Sequence, residues 1–123
     1  MANRVRIEQY SNKKEILKFN DFVSTTVNVT DVGVTAVDGK KILKAGTIIG
    51  GKTKSVLLNT GEVVEEKNTT TKAPDAEGVL LYDVDVTYGP REGSMVIYGY
   101  INIDKIPKAP VAEVNLPKIT FMK

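Results

Sequence analysis

The sequence has no cysteine, no histidine and no tryptophan among its 123 residues. Without thiols or imidazoles it excludes disulfides, zinc centres built on Cys or His, thiol nucleophiles, Ser-His triads, haem with a histidine ligand and a histidine pH switch. Charge of one sign is also scarce. The 17 Lys and Arg against 15 Asp and Glu leave +2, too little to mark a nucleic-acid partner by itself. No run of 18 apolar residues is present, and Met1-Ala2-Asn3-Arg4-Val5-Arg6 lacks the apolar stretch and small-residue cleavage site of a secretory signal. The expectation is a chain that contacts no membrane and stays where it is made.

Leucine is rare too, with 7 copies, whereas Val, Ile and Thr supply 16, 10 and 12. β-Branched side chains are stiff at χ1 and pack well on a pleated surface, so one mostly β domain is expected. A domain of this length buries about two thirds of the surface its unfolded chain exposes, enough for a core without metal or disulfide.

Strand signals follow in order. From Phe22, Val23, Thr25, Val27 and Val29 fall on one face and Ser24, Thr26, Asn28 and Thr30 on the other. Val32–Val37 ends in Asp38-Gly39, a tight hairpin turn before Lys40-Lys41-Ile42-Leu43. Ala45-Gly46-Thr47-Ile48-Ile49-Gly50-Gly51 is a short apolar strand between glycines; Gly51-Lys52-Thr53 lacks the full phosphate-loop spacing and a following helix. Asn59-Thr60-Gly61 is a turn between Val56-Leu57-Leu58 and Glu62-Val63-Val64, and the Thr-rich stretch 67–77 is a surface loop. Two long strands, 78–87 and 95–103, joined by a loop over 88–93, form the heart of the sheet. Gly99 inside the second marks a bulge or a close backbone approach, and Tyr98 and Tyr100 share a face that packs or meets a partner. Pro107, Pro110 and Pro117 discourage regular structure beyond Ile106, except for a helical turn over Val111–Asn115.

The first 22 residues read as an arm. Val5 and Ile7 alternate with Arg4, Arg6 and Glu8 without an evident mate; the segment is either a frayed terminus or a strand that adds to another chain's sheet edge. The organisation expected is an arm over 1–22, a β-rich core over 23–107, barrel-like or sandwich-like, and a Pro-punctuated arm over 108–123.

Charge is uneven along the chain. Residues 40–61 carry Lys40, Lys41, Lys44, Lys52 and Lys54 and no acid, whereas residues 62–104 hold nine acids against Lys67, Lys72 and Arg91. Such halves are either a solvated surface or the two sides of a head-to-tail contact that closes a ring. Asp83 and Asp85, two apart in an expected strand, point to one face; a cation site needs more oxygen ligands and a hydrolase pair needs a cleft, so a structural or interfacial role is expected and no cofactor or metal. The Asn28-Val29-Thr30 and Asn68-Thr69-Thr70 matches to a glycosylation acceptor carry no weight without a signal peptide. The lysine segment contains no aromatic residue, which demotes single-stranded nucleic-acid binding.

The blocks Ala76–Thr87 and Ser94–Pro107, preceded by Lys44–Gly51, resemble the head decoration proteins of lambda-like tailed bacteriophages and their relatives in phages of Gram-positive hosts. The resemblance covers about half of the chain, from residue 42 to 107, and rests on the order and spacing of three blocks. It implies a small β-rich, non-enzymatic protein, usually a homotrimer, made in the host cytoplasm. On the virion it sits on the outer surface of the expanded capsid at local threefold positions and cements neighbouring major capsid proteins. It also implies that the N-terminal arm adds a strand to the capsid protein, which singles out Arg4, Val5, Arg6, Ile7 and Tyr10; Lys40, Lys41, Lys44, Asp83, Asp85, Tyr98 and Tyr100 are candidate subunit contacts. The alternative from another class is a β-barrel module that binds single-stranded nucleic acid or carbohydrate.

Overall fold

The computed structural model describes residues 16–123. Its spine is the longest strand, β8 (Arg91–Asn102), and the other strands arrange themselves along it. In chain order they are β1 (Val23–Val29), β2 (Ala36–Val37), β3 (Lys40–Leu43), β4 (Ile48–Gly51), β5 (Val63–Glu66), β6 (Gly78–Leu80), β7 (Val84–Asp85), β8 and β9 (Ile119–Met122), with 3-10 turns at Ala73–Asp75 and Ile103–Lys105. The fold is the mostly β class the composition predicts.

The main sheet runs β1-β5-β4-β6-β8-β9, and β1 also pairs with β8. The ladder therefore returns to its first strand and closes a ring of five, with β9 added to the far half of β8. Closure removes strand edges that would otherwise template association. β2, β3 and β7 form a second, small sheet. Asp38 and Gly39 take φ of 54° and 79° in the β2–β3 turn, the positive values a two-residue hairpin loop demands.

Successive residues of a strand point to opposite faces, and at the centre of this sheet both faces are apolar. Ile49, Leu80 and Met95 join Val27, Val29 and Val64 in one cluster, while their chain neighbours Ile48, Val79 and Val96 join Ile16, Ile101 and Ile119 in another. All of the central six are fully buried. The ring thus encloses one core and supports a second on its outer face.

The second core needs a cover, and the two ends of the described chain provide it. Ile16 is 2% exposed, Lys18 N donates to Tyr100 O at 2.8 Å, and Asn102 N donates to Ile16 O at 2.7 Å. Residues 16–22, expected in the arm, therefore belong to the body, and the remainder of that expected arm lies outside the described residues. The C-terminal segment also folds back. Val114 and Leu116 pack against the second core, Ile119 is buried in it, and β9 runs parallel to β8 with Gly99 opposite Ile119. The prolines do discourage structure up to Pro117; the strand begins just beyond the last of them, and Val111–Asn115 forms only a turn closed by Val114 N to Val111 O.

Two further expectations are corrected. The stretch 78–87 is not one strand, because the chain bends at Leu81–Asp83 and passes from the ring to the small sheet. The loop over 67–77 is not a surface loop throughout: Lys67, Asn68 and Ala73 are buried, at 3%, 1% and 1% exposure. A polar, Thr-rich composition concealed this, because the burial is carried by hydrogen bonds rather than apolar contacts.

Candidate functional site

Local chemistry builds three surfaces, and the residues singled out in the sequence divide among them. The first lies where the chain enters the fold. Residues 16–18 run antiparallel along the far half of β8, bridged at Leu17 and Ile101. Phe19 stands edge-on to Tyr100 with ring centroids 5.4 Å apart and planes at 80°, a favourable quadrupole geometry. Tyr100 is thus an internal packing partner, half-buried, whereas Tyr98 sits opposite Val23 and is more exposed. Between them Gly99 has φ of 153°, and a Cβ there would meet the Phe22 Cβ at 3.1 Å. Of the two readings of Gly99, the close approach is the one observed; the register irregularity opposite Val23 and Ser24 falls on Ile97, between Val96 and Tyr98. Arg4, Val5, Arg6, Ile7 and Tyr10 lie outside the described residues.

The second surface gathers Lys40, Lys41, Lys44, Asp83 and Asp85. Ile42 of β3 lies opposite Asp85 of β7, so the basic and acidic segments are neighbours within one chain. The Asp85 carboxylate accepts from Thr87 Oγ1 at 2.5 Å and Thr87 N at 3.0 Å, and Thr87 Oγ1 accepts from Lys41 N at 2.9 Å. Those Thr87 bonds, helped by the charges of Arg91 and Lys40, hold Asp85 below the usual carboxylate range. Asp83 sits at the bend, outside any strand, and accepts from Ala45 N at 2.7 Å. The two aspartates therefore do not present a same-face pair; each is committed to a different backbone segment. Asp83 also lines an open cleft of about 600 Å³ with Lys44, Tyr82, Asp104 and Lys105. Among the described residues no group of three His, Cys, Asp or Glu is placed to hold a metal ion, and no helix is long and apolar enough to cross a membrane.

The third surface was not singled out in the sequence. Glu77 accepts four hydrogen bonds, one from the end of β4, Gly51 N at 2.7 Å, and three from the loop that follows, Ser55 Oγ at 2.6 Å, Val56 N at 3.0 Å and Leu57 N at 3.2 Å. Burial pushes its pKa up, but the Ser55, Gly51, Val56 and Leu57 donors together outweigh it and leave the group below its ordinary value. The carboxylate acts as the anion around which the loop curls, and the loop presents Leu57 and Leu58 to solvent. No short-range pattern announces such a contact, because Glu77 and Ser55 are 22 residues apart.

The two hydroxyl–carboxylate contacts, Ser55 with Glu77 and Thr87 with Asp85, each share their carboxylate with backbone N–H donors. No family model, curated protein or solved structure matches the chain.

Proposed function

We propose that this protein is a non-enzymatic capsid decoration protein. It binds the outer surface of an expanded phage head at local threefold positions and stabilises the head by bridging neighbouring major capsid proteins. The observation that carries the reading joins sequence to fold. The three blocks of the resemblance contain β4, β6 with β7, and β8 from Ser94 onward; β4, β6 and β8 are consecutive neighbours in the main sheet, with Ile48 opposite Val79 and Val79 opposite Val96, while β7 lies in the small sheet. The likeness therefore falls on the continuous, doubly buried centre of the sheet rather than on its periphery.

The role asks little of chemistry and much of geometry. A closed ring with both ends of the described chain packed on it is a rigid body, and contact segments attached to a rigid body lose less freedom on docking. Self-association of the decoration protein, as a homotrimer, turns each later contact into an intramolecular one, so modest contacts suffice. A partner that binds the expanded lattice and not its precursor stabilises that state by mass action.

The test is co-sedimentation of the protein with expanded, undecorated capsids and with unexpanded procapsids. Saturable binding to the expanded shells alone is expected. Binding to neither, with tight salt-sensitive binding to an oligonucleotide or a glycan instead, would replace the reading by the binding-module alternative.

A further inference from the structure

The open cleft of about 600 Å³ lies among three turns that the backbone already holds in place. In the first, Thr47 N and Thr47 Oγ1 both donate to Lys44 O, at 3.2 and 2.7 Å. The second is the bend at Leu81–Asp83. It is tied to the first by Ala45 N on the Asp83 carboxylate and by Gly46 N on Leu80 O, both at 2.7 Å. The third is the 3-10 turn Ile103–Lys105, capped by the Asn102 side chain, which accepts from Asp104 N at 3.0 Å. The chain leaving it presses on the first turn, since a Cβ at Gly46 would come within 2.5 Å of Ile106 Cγ2. The cleft is therefore preformed, and its volume falls in the usual span of ligand sites, roughly 300–1,000 Å³.

Its lining combines apolar surface with polar groups of complementary kinds. Ile16 and Leu81, both buried, and the half-buried Ala45 and Ile106 supply the apolar part. Lys44 and Asp83 stand on one side, joined through Ala45, and Asp104 and Lys105 follow one another on the third turn. All four are exposed. Among the described residues the side chains of Lys44, Asp104 and Lys105 make no hydrogen bond or ion pair, and Asp83 uses only its Oδ1. An ammonium only donates and a carboxylate only accepts. Each side of the cleft thus offers a donor and an acceptor together and carries no net charge, and Tyr82 adds an exposed aromatic ring.

We infer that this cleft binds a neutral pyranose, free or as one unit of a longer glycan. A hydroxyl donates and accepts at once, so adjacent hydroxyls of a sugar are matched by a lysine and an aspartate side by side. The C–H face of the ring is apolar and packs on aliphatic and aromatic surface. Charged ligands are selected against: a polyanion meets Asp83 and Asp104, and a cation meets Lys44 and Lys105. The cleft opens to solvent, which leaves a path for a glycan chain to continue. This site is independent of the decoration role and uses none of its contacts.

The test is a titration of the full chain, labelled with nitrogen-15, followed by amide NMR. The probes are the methyl pyranosides of glucose, galactose, mannose and N-acetylglucosamine, then the neutral polysaccharides dextran and mannan. Saturable shifts at the amides of Ala45, Tyr82 and Asp104 are expected with at least one probe, and equally at low and high salt, because the ligand is uncharged. Shifts with a methyl pyranoside mark recognition of a single ring; shifts with a polysaccharide alone mark recognition within a chain. Asp104→Ala removes a side chain with no partner in the described fold, so it should leave the melting temperature unchanged. It should weaken binding about tenfold or more, the usual effect of losing a hydrogen bond to a charged group. Tyr82→Ala should weaken it as well. No saturable shift with any probe, shifts confined to another part of the molecule, or binding indifferent to both substitutions would overturn the inference. Capsid sedimentation is read separately: sugar binding without capsid binding keeps this site and removes the decoration role, and capsid binding without sugar binding does the reverse.

Discussion

Asn68 and Val111 are 43 residues apart in the chain and are joined by a 2.9 Å hydrogen bond from the Val111 amide to the Asn68 side-chain oxygen. The same side chain donates to Ala109 O at 3.0 Å, and Lys108 Nζ returns a bond to Asn68 O at 2.8 Å. Asn68 is 1% exposed, so none of these groups has water as a ready substitute. One buried amide thereby fastens the proline-rich tail to the body and aims Ile119 at the second core.

Asn68→Ala should accordingly cost about 2–3 kcal/mol, because it leaves buried donors and acceptors unpaired. Urea unfolding checks this through the midpoint at constant slope. Asn68→Asp keeps an acceptor for Val111 N and loses the donor to Ala109 O, so it should also destabilise at neutral pH.

The tail should behave as core. Ile119→Ala is expected to cost about 2–4 kcal/mol, the range for truncating a buried aliphatic side chain, measured by thermal or urea unfolding. Had the segment 108–123 been a free arm, the same substitution would leave stability unchanged.

Much of this architecture is legible in the sequence, and the reasons for the remainder are physical. The alternation from Val23 to Val29 and the Asp38-Gly39 turn are local signals, and the strands and the hairpin stand where those signals put them. The doubly apolar pairs Ile48-Ile49 and Met95-Val96 also mark strands buried on both faces. The roles of Glu77 and Asn68 are carried by partners 20 to 43 residues away, most of them backbone groups that no side-chain pattern encodes. Asp83 and Asp85 misled for a related reason. A period-two argument holds only while the strand continues, and the chain bends at Asp83.

The acid limb of stability should carry a Glu77 component. Its pKa is lowered in the folded state, since the loop donors more than offset burial. The folded state therefore binds fewer protons than the unfolded state, and the stabilisation is present above the ordinary glutamate value of about 4.3 and lost as pH falls through the folded value. Asp85, lowered chiefly by its Thr87 bonds, acts in the same direction, and its loss begins lower, near the ordinary aspartate value of about 3.9. Urea midpoints measured across the acid range should fall less steeply in Glu77→Gln than in the unmodified chain. Equal slopes would mean that the loop does not draw on the ionised carboxylate.

The boundary of the N-terminal segment gives a paired prediction. Deleting residues 1–15 leaves Ile16, the Leu17 bridge and the Phe19–Tyr100 contact intact, so circular dichroism and the melting temperature should stay close to those of the full chain. Deleting residues 1–22 uncovers the second core and should lower the melting temperature by several degrees or more, since a few kcal/mol corresponds to such a shift in a domain of this size.

The most direct test combines that boundary with the proposed role. Full-length protein and protein lacking residues 1–15 are sedimented with expanded capsids and with procapsids. Saturable binding of the full chain to expanded capsids only is expected, sharply weakened by the deletion while the body stays folded. Full binding by the shortened protein would contradict the strand-adding role of Arg4 to Tyr10, and no binding by either would contradict capsid decoration itself.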